Sequence, residues 1–318
     1  MRFEKDAEME NEIDVSFVMT VYNKEYYLPS VMHALLNQSG LKNPEFIFCD
    51  DVSTDRSVEI IREMTKNVPN VTIFANTENR GISVRTNQGI AAARGKYTRM
   101  LDSDDILPID STEKMLQLAE ELDADMIYGK FIKTGKEPRE LEHEFLEDNF
   151  TYEYNKDALR MVLTGRFTRM GQLIKTEVLK KAGGADERVF IQDESVPVRA
   201  AIHARGIVKM DANVVLVPKE IGNFSGNKIQ LDNDRYMAYC YALLDNPQLP
   251  PDVLKLMYGR ALSAYWKYVR KTSRFPYCTG AFWRYLANRI FPQSPDKALL
   301  IRMRDEFLSL PNIRRIKN

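Results

Sequence analysis

Short apolar runs that alternate with amphipathic segments constrain the fold of this 318-residue chain more than any other feature. The first run, residues 15–21, is rich in β-branched side chains, which is typical of a strand buried on both faces of a parallel sheet. Comparable runs predict four further strands at 46–49, 71–75, 96–101 and 125–128. Apolar positions at helical spacing predict helices at 28–37, 57–64, 83–94 and 111–122. This alternation predicts an α/β fold with parallel strands and right-handed crossovers.

Beyond residue 128 the pattern is less regular. The charged stretch 130–155 has no clear period, and we interpret it as a loop or excursion. Two further strands are predicted at 169–173 and 214–217, with helices at 158–164, 176–182 and 193–205. From residue 236 onward the spacing predicts helices at 236–244, 252–272, 279–290 and 295–308. We therefore divide the chain into an extension (1–12), a main domain (13–228) and a C-terminal helical region (229–318).

Acidic residues follow two of the predicted strands at the point where each strand ends. The run at 46–49 leads into Asp50 and Asp51, and the run at 96–101 leads into Asp-Ser-Asp-Asp at 102–105. Because open α/β sheets bind ligands at the carboxyl ends of their strands, we expect both clusters at a ligand site. Crowded carboxylates repel each other, and Mg²⁺ and Mn²⁺ prefer such oxygen ligands. The 102–105 segment therefore predicts a site for a divalent cation and a diphosphate, with a solvated turn as the alternative.

A third acidic pair, Asp193 and Glu194, opens the helix predicted at 193–205. One of these carboxylates can act as a general base that takes a proton from an acceptor hydroxyl. The alternative is a helix cap, because the helix dipole stabilises a carboxylate at a helix N-terminus. The local sequence leaves both interpretations open.

Charge is distributed unevenly along a chain whose formal net charge is zero. Residues 253–318 contain fourteen Lys or Arg and three Asp or Glu, so this tail carries +11 and the rest of the chain −11. A basic tail suits an anionic membrane surface, a nucleic acid or an acidic polymer, or it is a solvated face packed on the acidic domain. Aromatic residues interleave with basic ones between Trp266 and Tyr285, and we expect them to form the core of a helical bundle. Homo-oligomerisation through the tail is a further hypothesis.

Cysteine usage and hydropathy indicate the cellular compartment in which the protein is expected. The three cysteines, Cys49, Cys240 and Cys278, form no close pair in sequence, which supports neither a disulfide framework nor a zinc site and favours a reducing compartment. Residues 1–12 are polar and acidic, unlike a signal peptide, and no apolar run approaches the roughly 18 residues that span a bilayer. We therefore expect a cytoplasmic protein, with any membrane contact peripheral and on the inner face.

Six short motifs occur in a fixed order between residues 18 and 105. They are Val-Met-Thr-Val-Tyr-Asn (18–23), Leu-Asn-Gln (36–38), Asp-Asp-Val-Ser-Thr-Asp-Arg-Ser (50–57), Asn-Arg-Gly-Ile-Ser (79–83), Gly-Lys-Tyr (95–97) and Leu-Asp-Ser-Asp-Asp (101–105). Their order and spacing resemble the nucleotide-sugar domain of family 2 glycosyltransferases, and the similarity extends over about residues 13–220. The look-alikes are bacterial enzymes that decorate surface polysaccharides, teichoic acids or lipooligosaccharides. The resemblance implies the GT-A fold, a Rossmann-like mixed sheet flanked by helices, with a C-terminal helical region.

The resemblance also implies roles for individual residues. Asp51 would bind the nucleobase with Asp50 beside it, and Asp193 falls where the family carries its catalytic base, with Glu194 as the alternative. The residues expected to hold the nucleotide sugar are Val21, Tyr22, Asn23, Asp50, Asp51, Gly81, Arg85, Asn87, Asp102, Ser103 and Asp104. The expected ligands of Mn²⁺ or Mg²⁺ are Asp102, Asp104 and Asp105. Many relatives carry a histidine after the last core strand, and here Asn223 or Ser225 takes its place as the expected ligand contact.

The implied activity is metal-dependent transfer of one sugar, with inversion, from a nucleotide-diphosphate sugar for which UDP is the expected carrier. The acceptor would be a hydroxyl of a glycan, a lipid-linked sugar or a cell-surface polymer. The Gln-x-x-Arg-Trp signature of processive synthases is absent, which favours single transfers. The alternatives are a nucleotidyl- or phosphotransferase that uses the same nucleotide-metal site, and an inactive scaffold that binds a nucleotide sugar. Nucleic-acid binding has only the basic tail in its favour, and the acidic remainder of the chain counts against it.

Overall fold

The computed structural model describes residues 12–165, 167–219, 228–311 and 313–315. Within these residues eight strands form one sheet. The strands are β1 (Val15–Val21), β2 (Glu45–Asp50), β3 (Val71–Ala75), β4 (Tyr97–Asp102), β5 (Met126–Lys133), β6 (Tyr152–Asn155), β7 (Gln172–Lys175) and β8 (Ile207–Val217). The helices of the main domain are α1 (Leu28–Leu36), α2 (Ser57–Met64), α3 (Ile82–Ala92), α4 (Ser111–Glu121), α5 (Ala158–Thr164), α6 (Thr176–Lys181) and α7 (Ser195–Ala201). The C-terminal helices are α8 (Lys228–Asp245), α9 (Pro251–Thr272), α10 (Gly280–Ile290) and α11 (Lys297–Leu308).

The sheet is mixed, with the strand order β3-β2-β1-β4-β7-β5-β8-β6. β1 pairs in parallel with both β2 and β4, and β2 pairs in parallel with β3. β7 lies antiparallel between β4 and β5, and β5 in turn pairs in parallel with β8. The parallel arrangement predicted for the first five strands is therefore confirmed, and the mixed sheet with flanking helices agrees with the predicted fold class.

The register of the first strands brings two acidic segments to the same edge of the sheet. Val21 of β1 pairs with Asp50 of β2, and Thr20 pairs with Asp102 of β4. Because neighbouring strands lie about 4.8 Å apart, the backbones of Asp50 and Asp102 lie about 10 Å apart across the end of β1. This gap can admit part of a ligand between the two acidic segments.

Helices cover both faces of the sheet, and each face has its own apolar core. Alternate side chains of β1 point to opposite faces, so Phe17 and Met19 pack with α1, α2 and α4, whereas Val18 packs with α3 and α5 to α7. Side chains of α8, α9 and α11 belong to the core on the second face. The C-terminal helices therefore share a core with the sheet, and the division at residues 228 and 229 stays a prediction.

Residues 130–155 contain two strand segments where the charge pattern predicts a loop. β5 continues to Lys133, and β6 pairs antiparallel with β8 over residues 152–155. The side chains at the end of β5 and most of those of β6 are exposed, so these segments show no apolar period in the sequence. The prediction of a loop is therefore wrong for these two segments, because backbone pairing with β8, and not burial, creates both.

Two other predicted elements differ from the structure next to the acidic edge. The strand predicted at 169–173 lies instead at Gln172–Lys175, and the helix predicted at 193–205 is confined to Ser195–Ala201. The residues left out, Arg169 and Asp193, bond to each other through the Arg169 amide and the Asp193 carbonyl oxygen, 3.0 Å apart. This pairing replaces the strand and helix hydrogen bonds that the local sequence predicts.

The aromatic residues of the tail divide into two groups. Trp266 and Tyr268 of α9 are buried, which confirms the predicted bundle core for these two side chains. Phe275, Tyr277 and Trp283 are exposed instead, so they do not belong to that core. No helix in the described parts of the chain combines the length and apolarity that crossing a membrane requires. All three cysteines have free thiols.

Candidate functional site

The loops that follow β1 and β2 are fastened to each other. The Asn23 amide donates to Ser53 Oγ at 3.0 Å, and Asn23 Oδ1 accepts the Thr54 amide at 2.8 Å. The Lys24 amide donates to Ser57 Oγ at 2.8 Å. Tyr22, the residue just before the bonded Asn23, is exposed, whereas Val21 is buried. The predicted nucleotide frame at residues 21–23 therefore lies on a braced pair of loops.

Asp50 closes the turn after β2. Its carboxylate accepts the amides of Val52 and Ser53, each at 3.0 Å from Oδ2. Val52 has φ +68°, a left-handed conformation that a β-branched residue rarely adopts. Backbone strain of this kind costs on the order of 1–3 kcal/mol and collects at functional sites. Asp50 therefore acts inside the loop, holding a strained turn at the ligand edge.

Asp51 is buried and organises the turn before α3. Its two oxygens accept the amides of Arg80 and Gly81 at 2.9 and 2.8 Å, and Arg85 Nε lies 2.7 Å from Oδ1. Gly81 has φ +87°, which a side chain would disfavour. These contacts fix the loop that faces the carboxyl edge, and the role of Asp51 in binding the nucleobase stays a prediction.

Arg85 and Asn87, two of the predicted ligand contacts, are engaged within the protein. Arg85 is buried, and it also donates to the carbonyl oxygen of Glu78. Asn87 Oδ1 accepts the Ala185 amide at 2.8 Å. Its Nδ2 donates to the Ala185 carbonyl oxygen at 3.0 Å and to the Glu187 carboxylate at 2.9 Å. Both side chains thus support neighbouring loops, and their role as ligand contacts stays a prediction.

The acidic segment after β4 is paired with two cations of the protein. Asp104 contacts Lys24 Nζ, and Asp102 contacts the Arg169 guanidinium. Ser103 between them is buried, and so is Asp105. Burial, together with the nearby carboxylates of Asp102 and Asp104, raises the pKa of Asp105 well above its usual value. Three aspartates, Asp102, Asp104 and Asp105, thus share this short segment with two cationic side chains, Lys24 and Arg169.

Arg169 is the functional residue that the sequence patterns missed. Its side chain is only 3% exposed, and it lies between the carboxylates of Asp102 and Asp193. Its Nε is buried, 3.9 Å from Asp193 Oδ1, with no hydrogen-bond partner among the described residues. A lone arginine at the start of a predicted strand could have been a signal, because a charged side chain seldom enters a buried strand unpaired.

Asp193 has the properties of a general base. Its surroundings raise its pKa to about 6: burial and the charge of Asp102 raise the pKa, and the positive charge of Arg169 opposes them. The side chain keeps about a third of its surface exposed, so it is open to a ligand on one side. A carboxylate with a pKa near 6 is ionised at neutral pH and still basic enough to accept a proton during a reaction.

Glu194, the alternative base, points into the C-terminal helices. Its carboxylate accepts Arg235 Nε at 2.6 Å and the Tyr239 hydroxyl at 3.1 Å, both from α8. The amide of Ile191, three residues earlier, is bonded to Asp234 of the same helix at 3.1 Å. α8 therefore positions the 191–194 segment, and the geometry favours Asp193 over Glu194 as the base.

The carboxylates of Asp102 and Asp104 suit a divalent cation that also binds a diphosphate. Both are partly exposed, and Mg²⁺ usually takes one or two carboxylates and completes its shell with phosphate oxygens and water. Asp105 itself is buried, so the fit rests on Asp102 and Asp104, and its predicted role as a third ligand is untested.

Comparison with known proteins decides the family. The model of glycosyl transferase family 2 matches residues 16–183. The chain belongs to this family. The predicted resemblance is therefore confirmed, and the matched region includes β1 to β4 and Arg169. Asn223 and Ser225, the other predicted ligand contacts, lie outside the described residues.

Relatives of this family 2 chain occur in bacteria. An uncharacterized glycosyltransferase of Haemophilus influenzae is 32% identical over 166 residues, which cover 52% of this chain and 64% of the relative. The putative teichuronic acid biosynthesis glycosyltransferase TuaG of Bacillus subtilis is 29% identical over 158 residues, which cover 49% and 61%. The chain thus spans less than two thirds of the length of these relatives.

Solved structures support the fold over nearly the whole chain. Residues 1–349 of TarS from S. aureus superpose with a TM-score of 0.66 at 17% identity, covering 93% of this chain and 88% of that TarS fragment. The mannosyltransferase PcManGT of Pyrobaculum calidifontis gives a TM-score of 0.56 at 16% identity, covering 97% and 94%. The similarity includes the C-terminal helices, so the predicted fold with its helical region is confirmed.

The position of Arg169 predicts how its removal changes Asp193. We expect Arg169→Gln to raise the pKa of Asp193 further above 6, because the guanidinium charge stabilises the carboxylate. Arg169→Lys keeps a positive charge next to Asp193, so the pKa of Asp193 should rise less in this variant than in Arg169→Gln. The measurement is an NMR pH titration of the Asp193 carboxyl carbon, assigned with Asp193→Asn. An unchanged or lower pKa in Arg169→Gln contradicts this account of the site.

Proposed function

We propose that this family 2 protein transfers one sugar at a time from a nucleotide-diphosphate sugar to a hydroxyl of a glycan or cell-surface polymer, with inversion. The observation that carries the proposal is the pairing of Asp102 and Asp193 around Arg169 at the carboxyl edge of the sheet. Asp102 would face the metal and the diphosphate, and Asp193 would face the acceptor. The same edge would therefore serve leaving group and nucleophile.

A UDP-linked donor is the carrier that we propose. TarS was solved in complex with UDP-GlcNAc, and it superposes on this chain with a TM-score of 0.63 at 15% identity. PcManGT was solved with GDP-Man and Mn²⁺. These structures support a nucleotide-sugar donor and a divalent ion for this chain. The choice of UDP over GDP follows the resemblance of the motifs, and the sugar itself is left open.

Charge neutralisation governs donor binding in this proposal. Asp102 and Asp104 would hold Mn²⁺ or Mg²⁺, which when bound stabilises the negative charge that develops on the departing nucleoside diphosphate. Lys24 and Arg169 already balance part of the charge of these carboxylates. Lys24 also lies at the loop that frames the nucleotide, so its ammonium can turn from Asp104 to a phosphate oxygen.

Asp193 removes the proton of the acceptor hydroxyl. Its pKa of about 6 leaves it ionised at pH 7 and above, and Arg169 holds it beside Asp102. Attack by the deprotonating hydroxyl on the face opposite the diphosphate inverts the anomeric centre. General-base catalysis by a positioned side chain typically contributes about 10²- to 10⁴-fold to a rate.

A membrane-facing surface completes the proposal. Five apolar side chains near the start and end of α10 are at least 60% exposed: Phe275, Tyr277, Trp283, Ile290 and Phe291. Three arginines, Arg274, Arg284 and Arg289, occur in the same segment of a tail that carries +11. Aromatic side chains with adjacent basic ones are typical of helices that lie in the membrane interface. We propose that this surface binds anionic lipid and brings the enzyme to a membrane-bound acceptor.

The assignment of the base predicts a selective loss in Asp193→Asn. We expect the variant to bind UDP with unchanged affinity but to lose about 10²- to 10⁴-fold in turnover, because the amide cannot accept the proton. Calorimetry with UDP and release of UDP in the presence of a sugar acceptor measure the two quantities. Glu194→Gln is the matched control and should keep most of its turnover, because the amide oxygen can still accept a hydrogen bond from Arg235 or Tyr239 and so hold the 191–194 segment. Full turnover in Asp193→Asn refutes the assignment.

The metal site predicts a dependence of UDP binding on Mn²⁺. In the unaltered protein Mn²⁺ should strengthen UDP binding at least tenfold, and EDTA should reverse the effect. In Asp104→Asn this coupling should disappear, because one carboxylate ligand is lost. Asp148→Asn, whose side chain is 94% exposed, serves as the control. Equal coupling in both variants would exclude Asp104 as a ligand.

The exposed surface around α10 predicts binding to anionic vesicles. Co-sedimentation with phosphatidylglycerol vesicles should occur at low salt and weaken at high salt, because salt screens the arginine charges. Trp283→Ala should reduce binding severalfold, whereas Phe145→Ala, which removes an exposed aromatic residue elsewhere, should not. If the unaltered protein stays in the supernatant at low salt, the lipid proposal fails.

A further inference from the structure

A cluster of metal-ligating side chains lies apart from the acidic edge. One nitrogen of His33, one oxygen of Glu142 and one nitrogen of His143 all lie within 4.8 Å of one another. The chain has only three histidines, and two of them meet here from positions 110 residues apart in sequence. We propose that these three residues bind a zinc-class transition metal ion.

The ligand chemistry favours zinc over the cations of the acidic edge. Imidazole nitrogen and carboxylate oxygen are regular Zn²⁺ ligands, and three protein ligands leave a fourth position for water. Mg²⁺ and Ca²⁺ prefer all-oxygen sites, which this cluster does not offer. With bonds of about 2.0–2.1 Å, tetrahedral ligands lie about 3.4 Å apart, so the cluster must contract slightly around an ion. His143 is 69% exposed and can rotate to do so.

The three side chains do not satisfy one another. Glu142 Oε1 and His143 Nε2 are 3.7 Å apart, too far for a hydrogen bond. The two imidazole rings meet edge to face at 4.7 Å between centroids. His33 Nδ1 is buried with no hydrogen-bond partner among the described residues. A buried polar nitrogen without a partner is costly, and ion binding at the ring gives this otherwise unexplained imidazole a function.

The ion would join two segments that are distant in sequence. His33 lies on α1, and the other two ligands follow the 3₁₀ turn at Pro138–Glu140. The same loop is already attached to the start of α1 by the hydrogen bond from the Tyr26 hydroxyl to Glu137. Glu137 also accepts Lys219 Nζ at 3.1 Å. Zinc would therefore fix this loop against α1, on the flank of the domain.

Zinc titration of the whole chain tests the site. Calorimetry with ZnCl₂, in excess Mg²⁺ to occupy the acidic edge, should show one ion bound. His143→Ala and Glu142→Gln should each weaken binding at least tenfold, because each removes one ligand. His203→Ala, which removes the remaining histidine, should leave it unchanged. His143 is 69% exposed and Glu142→Gln keeps the size of the side chain, so both variants should keep the fold. At one fixed Zn²⁺ concentration, the melting temperature should rise more in the unaltered protein than in either variant.

The outcomes separate this site from the proposed catalytic metal. Zinc binding that survives both His143→Ala and Glu142→Gln overturns the proposal, as does binding that is lost in Asp104→Asn. The proposal does not depend on the transferase activity. Mn²⁺-dependent UDP binding should therefore stay the same in His143→Ala, whichever way the zinc titration comes out.

Discussion

Arg169 carries the interaction on which the carboxyl edge depends. It is nearly inaccessible to solvent and lies between Asp102 and Asp193, with the buried Asp105 nearby. A buried charge without a partner costs several kcal/mol, and removing one member of a buried pair exposes the fold to that penalty. The guanidinium thus allows three carboxylates to stay close in a folded protein. In the proposed function a divalent cation would bind next to this pair, on Asp102 and Asp104.

The loops around this edge hold their shape through polar contacts of their own. Asp50 and Asp51 are predicted as ligand contacts, but their carboxylate oxygens accept hydrogen bonds from backbone amides, and Asp51 also binds Arg85. A strained Val52 and a left-handed Gly81 follow from those contacts. A site built in this way is preorganised, because the strain and the desolvation are met during folding and not when the donor binds.

The C-terminal helices are part of the site and not only an addition to it. α8 binds Glu194 through Arg235 and Tyr239 and holds the Ile191 amide through Asp234. Lys271 of α9 in turn contacts Asp232 of α8. Lys271 belongs to the +11 tail and Asp232 to the −11 remainder of the chain, so this pair joins the two parts by opposite charges. A change in how these helices are held would be transmitted to the segment that carries Asp193.

The sequence by itself determined the first four strand and helix pairs. Apolar runs mark the strands, apolar residues at helical spacing mark the helices, and acidic residues mark the ends of two strands. It also determined the family, since the motifs keep their spacing. It did not reveal β6 or the end of β5, whose side chains are exposed. Only the tertiary structure decided that Arg169 joins Asp102 across 67 residues and that Arg235 takes Glu194 across 41. Those pairs depend on β7 entering antiparallel beside β4 and on α8 docking beneath the site, and a local pattern encodes neither long-range choice.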